Sequence, residues 1–153
     1  MWESILEDRR VIVDRIMMKL ALTVANLSNC RKKQTGAVIA GEGVIAFGFN
    51  HTRRKCLVCY REDAKSGLWT DKERCDVVHA EIAAIFNAYR MGLSLKNGCM
   101  YSTYFPCVPC ARAIGEADIK RLYYIDEYEE QEPAIRVLNS YGISIHKMRR
   151  EDL

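Results

Sequence analysis

Residues 99–110 read Cys99-Met100-Tyr101-Ser102-Thr103-Tyr104-Phe105-Pro106-Cys107-Val108-Pro109-Cys110, and this stretch decides the fold. Cys99 to Thr103 reads as a buried strand. Its end delivers Pro106 and Cys107, and a helix is predicted from there to about Ala117, because proline suits the entry to a helix. Both cysteines of the C-x-x-C pair then lie at a helix N-terminus, where the dipole favours a thiolate. A strand running directly into a helix is the repeating unit of an α/β domain.

The same alternation extends on both sides. Upstream, a helix is predicted from about Val78 to Met91, with Gly92 past its end. Before it, Gly36–Ala40 and Val44–Phe49 flank Gly41-Glu42-Gly43, two apolar runs around a turn that read as a β-hairpin. Ile12, Ile16, Leu20, Val24 and Leu27 recur at steps of three and four, which predicts an amphipathic helix over roughly Glu7 to Leu27. Downstream, Arg121–Ile125 and Ile143–His146 read as strands around a helix over Pro133–Tyr141. Alternating strands and helices imply a mostly parallel sheet covered on both faces. The expected architecture is three layers, αβα, around a central mixed five-stranded sheet, in one domain over residues 1–153.

Composition agrees with that size. The chain has 153 residues with 49% hydrophobic content, enough for one core. Its formal charge of +3 fits an anionic small molecule and is too small to argue for nucleic acid. No apolar run of spanning or signal length stands at the start, so the expectation is a cytoplasmic chain without a membrane span. In a reducing compartment its seven cysteines are better suited to metal than to disulfides.

The chemistry rests on His79-Ala80-Glu81 and the Cys107/Cys110 pair. One imidazole and two thiolates hold a tetrahedral zinc with its fourth position open to water. Zinc lowers the pKa of such a water to about 7. Glu81, two residues past the ligand histidine, can reach that water without binding the metal and can carry protons. H-x-E followed by P-C-x-x-C is the arrangement of zinc nucleobase deaminases. A closed structural zinc knot would need a fourth protein ligand and would have no use for Glu81.

These motifs resemble the deoxycytidylate (dCMP) deaminase family of the cytidine deaminase superfamily. Ser28-Asn29-Cys30 with Gly36-Ala37-Val38-Ile39 resembles its S-x-C…V-G-A-V-I opening, and Gly48-Phe49-Asn50 its G-Y-N. Tyr104-Phe105-Pro106-Cys107 is similar to the dCMP branch in its phenylalanine, where tRNA adenosine deaminases carry an acidic residue. Tyr124-Ile125-Asp126-Glu127-Tyr128 resembles the family's tail. The chain departs at Thr35 (usually Val), His51 (usually Gly), Ala83 (usually Asn) and Lys32 (usually Arg). The resemblance implies hydrolysis of dCMP to dUMP and ammonia, a step that supplies dTTP precursors. It also implies a homo-oligomer, a hexamer, with dCTP and dTTP as effectors. Two other readings stay open: a deaminase of tRNA adenosine or single-stranded DNA cytosine, and a non-catalytic zinc-organised nucleotide-binding module.

The resemblance also implies substrate contacts. Asn50 contacts sugar or base, unless it is only a turn residue bonding its own backbone. The backbone N–H of Ala80 and the segment around Ser102 and Thr103 read the pyrimidine edge. Phe105 shapes the sugar side or simply packs. For the phosphate the candidates are Arg53, Arg54 and Lys55, then Arg31, Lys32 and Lys33, then Arg112; each of these also reads as an ordinary solvated charge. Four further cysteines, Cys30, Cys56, Cys59 and Cys75, would make a closed tetrahedral site for a second, structural zinc, as some members of the family carry one in this region. The same four also read as free thiols, or as a mixed site with His51 in place of one.

Overall fold

The computed structural model describes residues 2–30, 32–41, 43–53, 75–128 and 130–153. Helix α1 (Trp2–Ala25) is followed by strands β1 (Gly36–Gly41) and β2 (Val44–Phe49), helix α2 (Ala80–Arg90) and strand β3 (Cys99–Tyr104). Helix α3 (Val108–Glu116), strand β4 (Arg121–Asp126), helix α4 (Glu132–Ser140) and strand β5 (Ser144–Lys147) complete the order. The strands form one five-stranded sheet in the order β2-β1-β3-β4-β5.

The sheet is mixed. β1 runs antiparallel to both β2 and β3, with Val38 opposite Phe47 on one side and Tyr101 on the other. β3, β4 and β5 are parallel. The expectation of a mostly parallel sheet therefore holds for only one half, because a hairpin needs no crossover and leaves β1 antiparallel to its partner. On one face α2, α3 and α4 close over Ile39, Met100, Ile114, Leu122 and Leu138. On the other, α1 lies over Val38, Tyr101 and Tyr123.

α1 corrects a sequence expectation. Of the predicted apolar stripe, Ile12, Ile16 and Leu27 are more than half exposed, while Met18, Ala21, Val24 and Ala25 are the residues that pack inward. The cause lies in the sheet. A Cβ on Gly36 would stand 2.1 Å from the Ala21 carbonyl oxygen and 2.7 Å from the Ala25 nitrogen. Helix and strand meet backbone to backbone there, so the positions that face Gly36 must be small, Ala21 and Ala25, while Met18 and Val24 pack inward beside them.

A second close approach governs the site. A Cβ on Gly48 would lie 2.2 Å from the Ala84 nitrogen and 2.5 Å from the Ala80 carbonyl oxygen. The first turns of α2 therefore rest directly on the backbone of β2. Asn87 adds a bond from its Nδ2 to the Phe47 carbonyl, 2.9 Å.

Candidate metal centre and nucleotide cavity

His79 is the N-cap of α2 and Cys107 the N-cap of α3. A two-way backbone bridge fixes the entry to the first: His51 N donates to Val78 O at 3.0 Å, and Val78 N to His51 O at 2.8 Å. Pro109, in the first turn of α3, sets the entry to the second. The two helix starts converge. Both Cys107 Sγ and Cys110 Sγ lie 3.3 Å from His79 Nδ1, and the three ligating atoms all fall within 4.8 Å of one another. Around a tetrahedral zinc with bonds of about 2.0 and 2.3 Å, nitrogen and sulfur ligands sit about 3.5 Å apart. The donor set and its spacing fit zinc.

Electrostatics point the same way. A hydrogen bond from the Cys110 thiol, aided by His79, pulls Cys107 down to about 4, so one thiolate forms readily. Cys110 is pushed up, first because it donates that bond and then because it is buried beside Glu81. A dication held by His79, Cys107 and Cys110 would remove the opposition to the second thiolate. Glu81 is 6% exposed. Burial raises its carboxyl, while its own backbone N–H and the His79 charge work against that rise. A buried carboxyl held toward its protonated form is suited to proton transfer near neutral pH.

These groups open on a cavity of about 540 Å³, large enough for a small-molecule ligand. His79, Glu81 and Cys107 line one part of it, and Asn50, Phe105 and Lys32 also face it. Asn50 is held by backbone: its Oδ1 accepts from Thr35 N at 2.8 Å and its Nδ2 donates to Lys33 O at 2.7 Å. It is thus a clamp on the 33–35 segment rather than a turn bonding itself. Phe105 is 1% exposed and packs edge-on against Tyr124. Ala80, Ser102 and Thr103 are buried and do not line the cavity. Ser102 sits in register with Ala37 and Tyr124, and its hydroxyl has no hydrogen-bond partner among the described residues. Thr103 spends its hydroxyl on Gly36 N, 3.1 Å.

Of the basic candidates, Lys32 and Lys33 line the cavity, while Arg53 and Arg112 are exposed and do not. Arg31, Arg54 and Lys55 lie outside the described residues. So do Cys56 and Cys59. Cys30 and Cys75 are partly buried free thiols. Asn29 exchanges two hydrogen bonds with the Thr52 backbone, 3.0 and 3.1 Å, and the His51–Val78 bridge ties the chain just after Cys75 to the same segment. Among the described residues His79, Cys107 and Cys110 are the metal-type cluster.

Two aromatic residues were not among the site candidates. Tyr104 and Tyr128 line the cavity with ring centroids 5.6 Å apart, and the Lys33 ammonium lies 3.9 Å from the first centroid and 4.4 Å from the second. Both tyrosines stand within the quoted motifs, but nothing in the spacing shows that the end of β3 and the segment after β4 meet over one lysine.

Residues 12–126 match the model of the cytidine and deoxycytidylate deaminase zinc-binding region. The chain is 32% identical to the deoxycytidylate deaminase of Saccharomyces cerevisiae over 138 residues, 88% of this chain and 44% of the yeast protein. It is 33% identical to that of Enterobacteria phage T4 over 122 residues, 79% of this chain and 61% of the phage protein. The chain thus spans only about half the length of these relatives. Among solved structures, the dCMP deaminase of cyanophage S-TIM5 in complex with dCMP and dUMP superposes with a TM-score of 0.73 at 28% identity, covering 89% of this chain and 96% of that one.

Proposed function

We propose, from the premise that this chain belongs to the cytidine and deoxycytidylate deaminase family, that it hydrolyses dCMP to dUMP and ammonia in a single domain over residues 1–153. The observation that carries the reading is a buried Glu81 two residues from a zinc-type His79/Cys107/Cys110 cluster, facing a cavity that also holds two lysines. The relatives named above are deoxycytidylate deaminases, and the S-TIM5 enzyme was solved with both dCMP and dUMP.

In this reading His79, Cys107 and Cys110 hold the zinc, which supplies the Lewis acidity that makes water nucleophilic near neutral pH. Glu81 accepts the proton of the attacking water, delivers it to ring N3, and then helps protonate the amine leaving C4. Burial keeps Glu81 from being levelled by bulk water. Asn50 holds the 33–35 segment so that Lys32 and Lys33 flank the cavity, where a 5′-phosphate would gain charge-assisted bonds.

Ammonia release from dCMP, deoxycytidine and a short single-stranded DNA tests this. A phosphate contact of about 1.5–3 kcal/mol predicts kcat/KM about ten- to a hundredfold higher on dCMP than on deoxycytidine. Equal rates would remove phosphate recognition. Preference for the oligonucleotide would favour a polynucleotide deaminase, and no release from any would leave a zinc-organised binding module.

A second zinc held by Cys30, Cys56, Cys59 and Cys75 belongs to the same proposal. The hydrogen bonds that tie residues 29 and 78 to the segment at 51–52 support it. Metal analysis should find about two zinc ions per chain and about one after Cys75→Ser. A fully loaded wild-type protein with one zinc would return these cysteines to free thiols. Association into a homo-oligomer is supported by the outward apolar residues of α1, with Leu6, Ile12 and Ile16 each more than half exposed. A hexamer, effector control by dCTP and dTTP, and a cytoplasmic location complete the reading. No helix among the described residues is long and apolar enough to cross a membrane.

A further inference from the structure

We infer that Tyr104 is a positioning residue that makes this site select a phosphorylated substrate, by holding the Lys33 ammonium at the cavity between its own ring and that of Tyr128. The inference rests on the nucleotide-deaminase reading above and goes beyond it by naming how the charge is placed.

Lys33 is fixed at both ends. Its backbone carbonyl accepts from Asn50 Nδ2 at 2.7 Å, and the next residues are pinned by Thr35 N on Asn50 Oδ1. Its ammonium lies 3.9 Å from the Tyr104 ring centroid and 4.4 Å from that of Tyr128. A lysine side chain is long and rotamer-rich, so an unheld ammonium spends little time at one point. An ammonium within about 6 Å of an aromatic face is attracted by the ring quadrupole. Two rings 5.6 Å apart and tilted by 36° define one place where both attractions act. That place borders the same cavity as His79 and Glu81. Lys32, one residue earlier, is exposed and has no aromatic neighbour of this kind among the described contacts. The half-buried Lys33, not Lys32, is therefore the pre-placed charge.

Tyr104 comes from the last residue of β3, three residues before Cys107. The strand that delivers the first thiolate also delivers the ring that orients the cation. Metal site and phosphate charge are thereby held in one frame, so a nucleotide whose phosphate meets Lys33 presents its base at a set distance from Glu81.

The test compares Tyr104→Leu, Tyr104→Phe, Lys33→Met and the double variant Tyr104→Leu/Lys33→Met, each with its zinc content measured. For Tyr104→Leu the preference for dCMP over deoxycytidine should fall about three- to tenfold, with the loss in KM for dCMP rather than in kcat. Tyr104→Phe keeps the ring and should restore the preference. The double variant should discriminate no worse than Lys33→Met alone, because the ring acts through the lysine. Equal losses on the two substrates, or additive losses in the double variant, would overturn the inference and leave Tyr104 as a packing residue. Calorimetric binding of dCMP and deoxycytidine in a Glu81→Gln background reads the same ratios without turnover. If the wild-type chain deaminates neither substrate, the function reading fails, and these binding ratios still decide the role of Tyr104.

Discussion

Glu81→Gln should retain its zinc and lose turnover by at least about 10²–10⁴-fold, the range that general acid–base catalysis supplies. The expectation follows from geometry. The His79, Cys107 and Cys110 ligating atoms form a compact set without the Glu81 carboxylate, so the amide leaves the donor set intact. Glutamine is nearly isosteric with the buried acid and keeps the packing at the start of α2. It cannot accept a proton from water or hand one to a ring nitrogen. Steady-state ammonia release and metal content, measured on the same preparation, check both halves. A variant that binds zinc and keeps most of its rate would remove Glu81 from the proposed mechanism.

Gly48→Ala should be strongly damaging although it lies outside the metal site. Its new methyl would stand 2.2–2.7 Å from three backbone atoms of α2, at Ala80, Ala83 and Ala84. Backbone in a packed helix cannot swing aside as a side chain can, so helix and strand must separate. Overpacking of this kind costs about 3 kcal/mol, which for a domain of this size lowers the melting temperature by roughly 6–12 °C. The displaced turn carries Glu81 and follows His79 directly, so zinc affinity should fall along with stability. A melting temperature within about 2 °C of wild type, with undiminished zinc, would show that α2 does not depend on this contact.

Much of the site was legible because its parts are local. His79 and Glu81 share one turn and Cys107 and Cys110 another, and Pro106 marks the strand-to-helix junction between β3 and α3. Periodicity was less decisive in α1, which carries apolar residues on more than one side. Which side faces inward depends on Gly36, eleven residues beyond the helix, and on how closely its bare backbone admits Ala21 and Ala25. The charge at the cavity was harder still. Lys32 and Lys33 are neighbours with the same chemistry, and only the meeting of Tyr104 and Tyr128 separates them. Asn50 lines the cavity, but both ends of its amide hold backbone, a role visible only once Lys33 and Thr35 lie beside it.

The separation of His79 from Cys107 also sets an order of events during synthesis. The two are 28 residues apart, and the strand between them, β3, lies at the middle of the sheet. When β1, β2 and α2 have emerged from the ribosome, a metal ion meets one imidazole and no thiolate from this site. The thiolates arrive only behind β3, whose insertion beside β1 also buries Met100 and Tyr101. Metal capture therefore waits on the placement of β3, and a chain stopped short of Cys107 would offer the ion one ligand of the three.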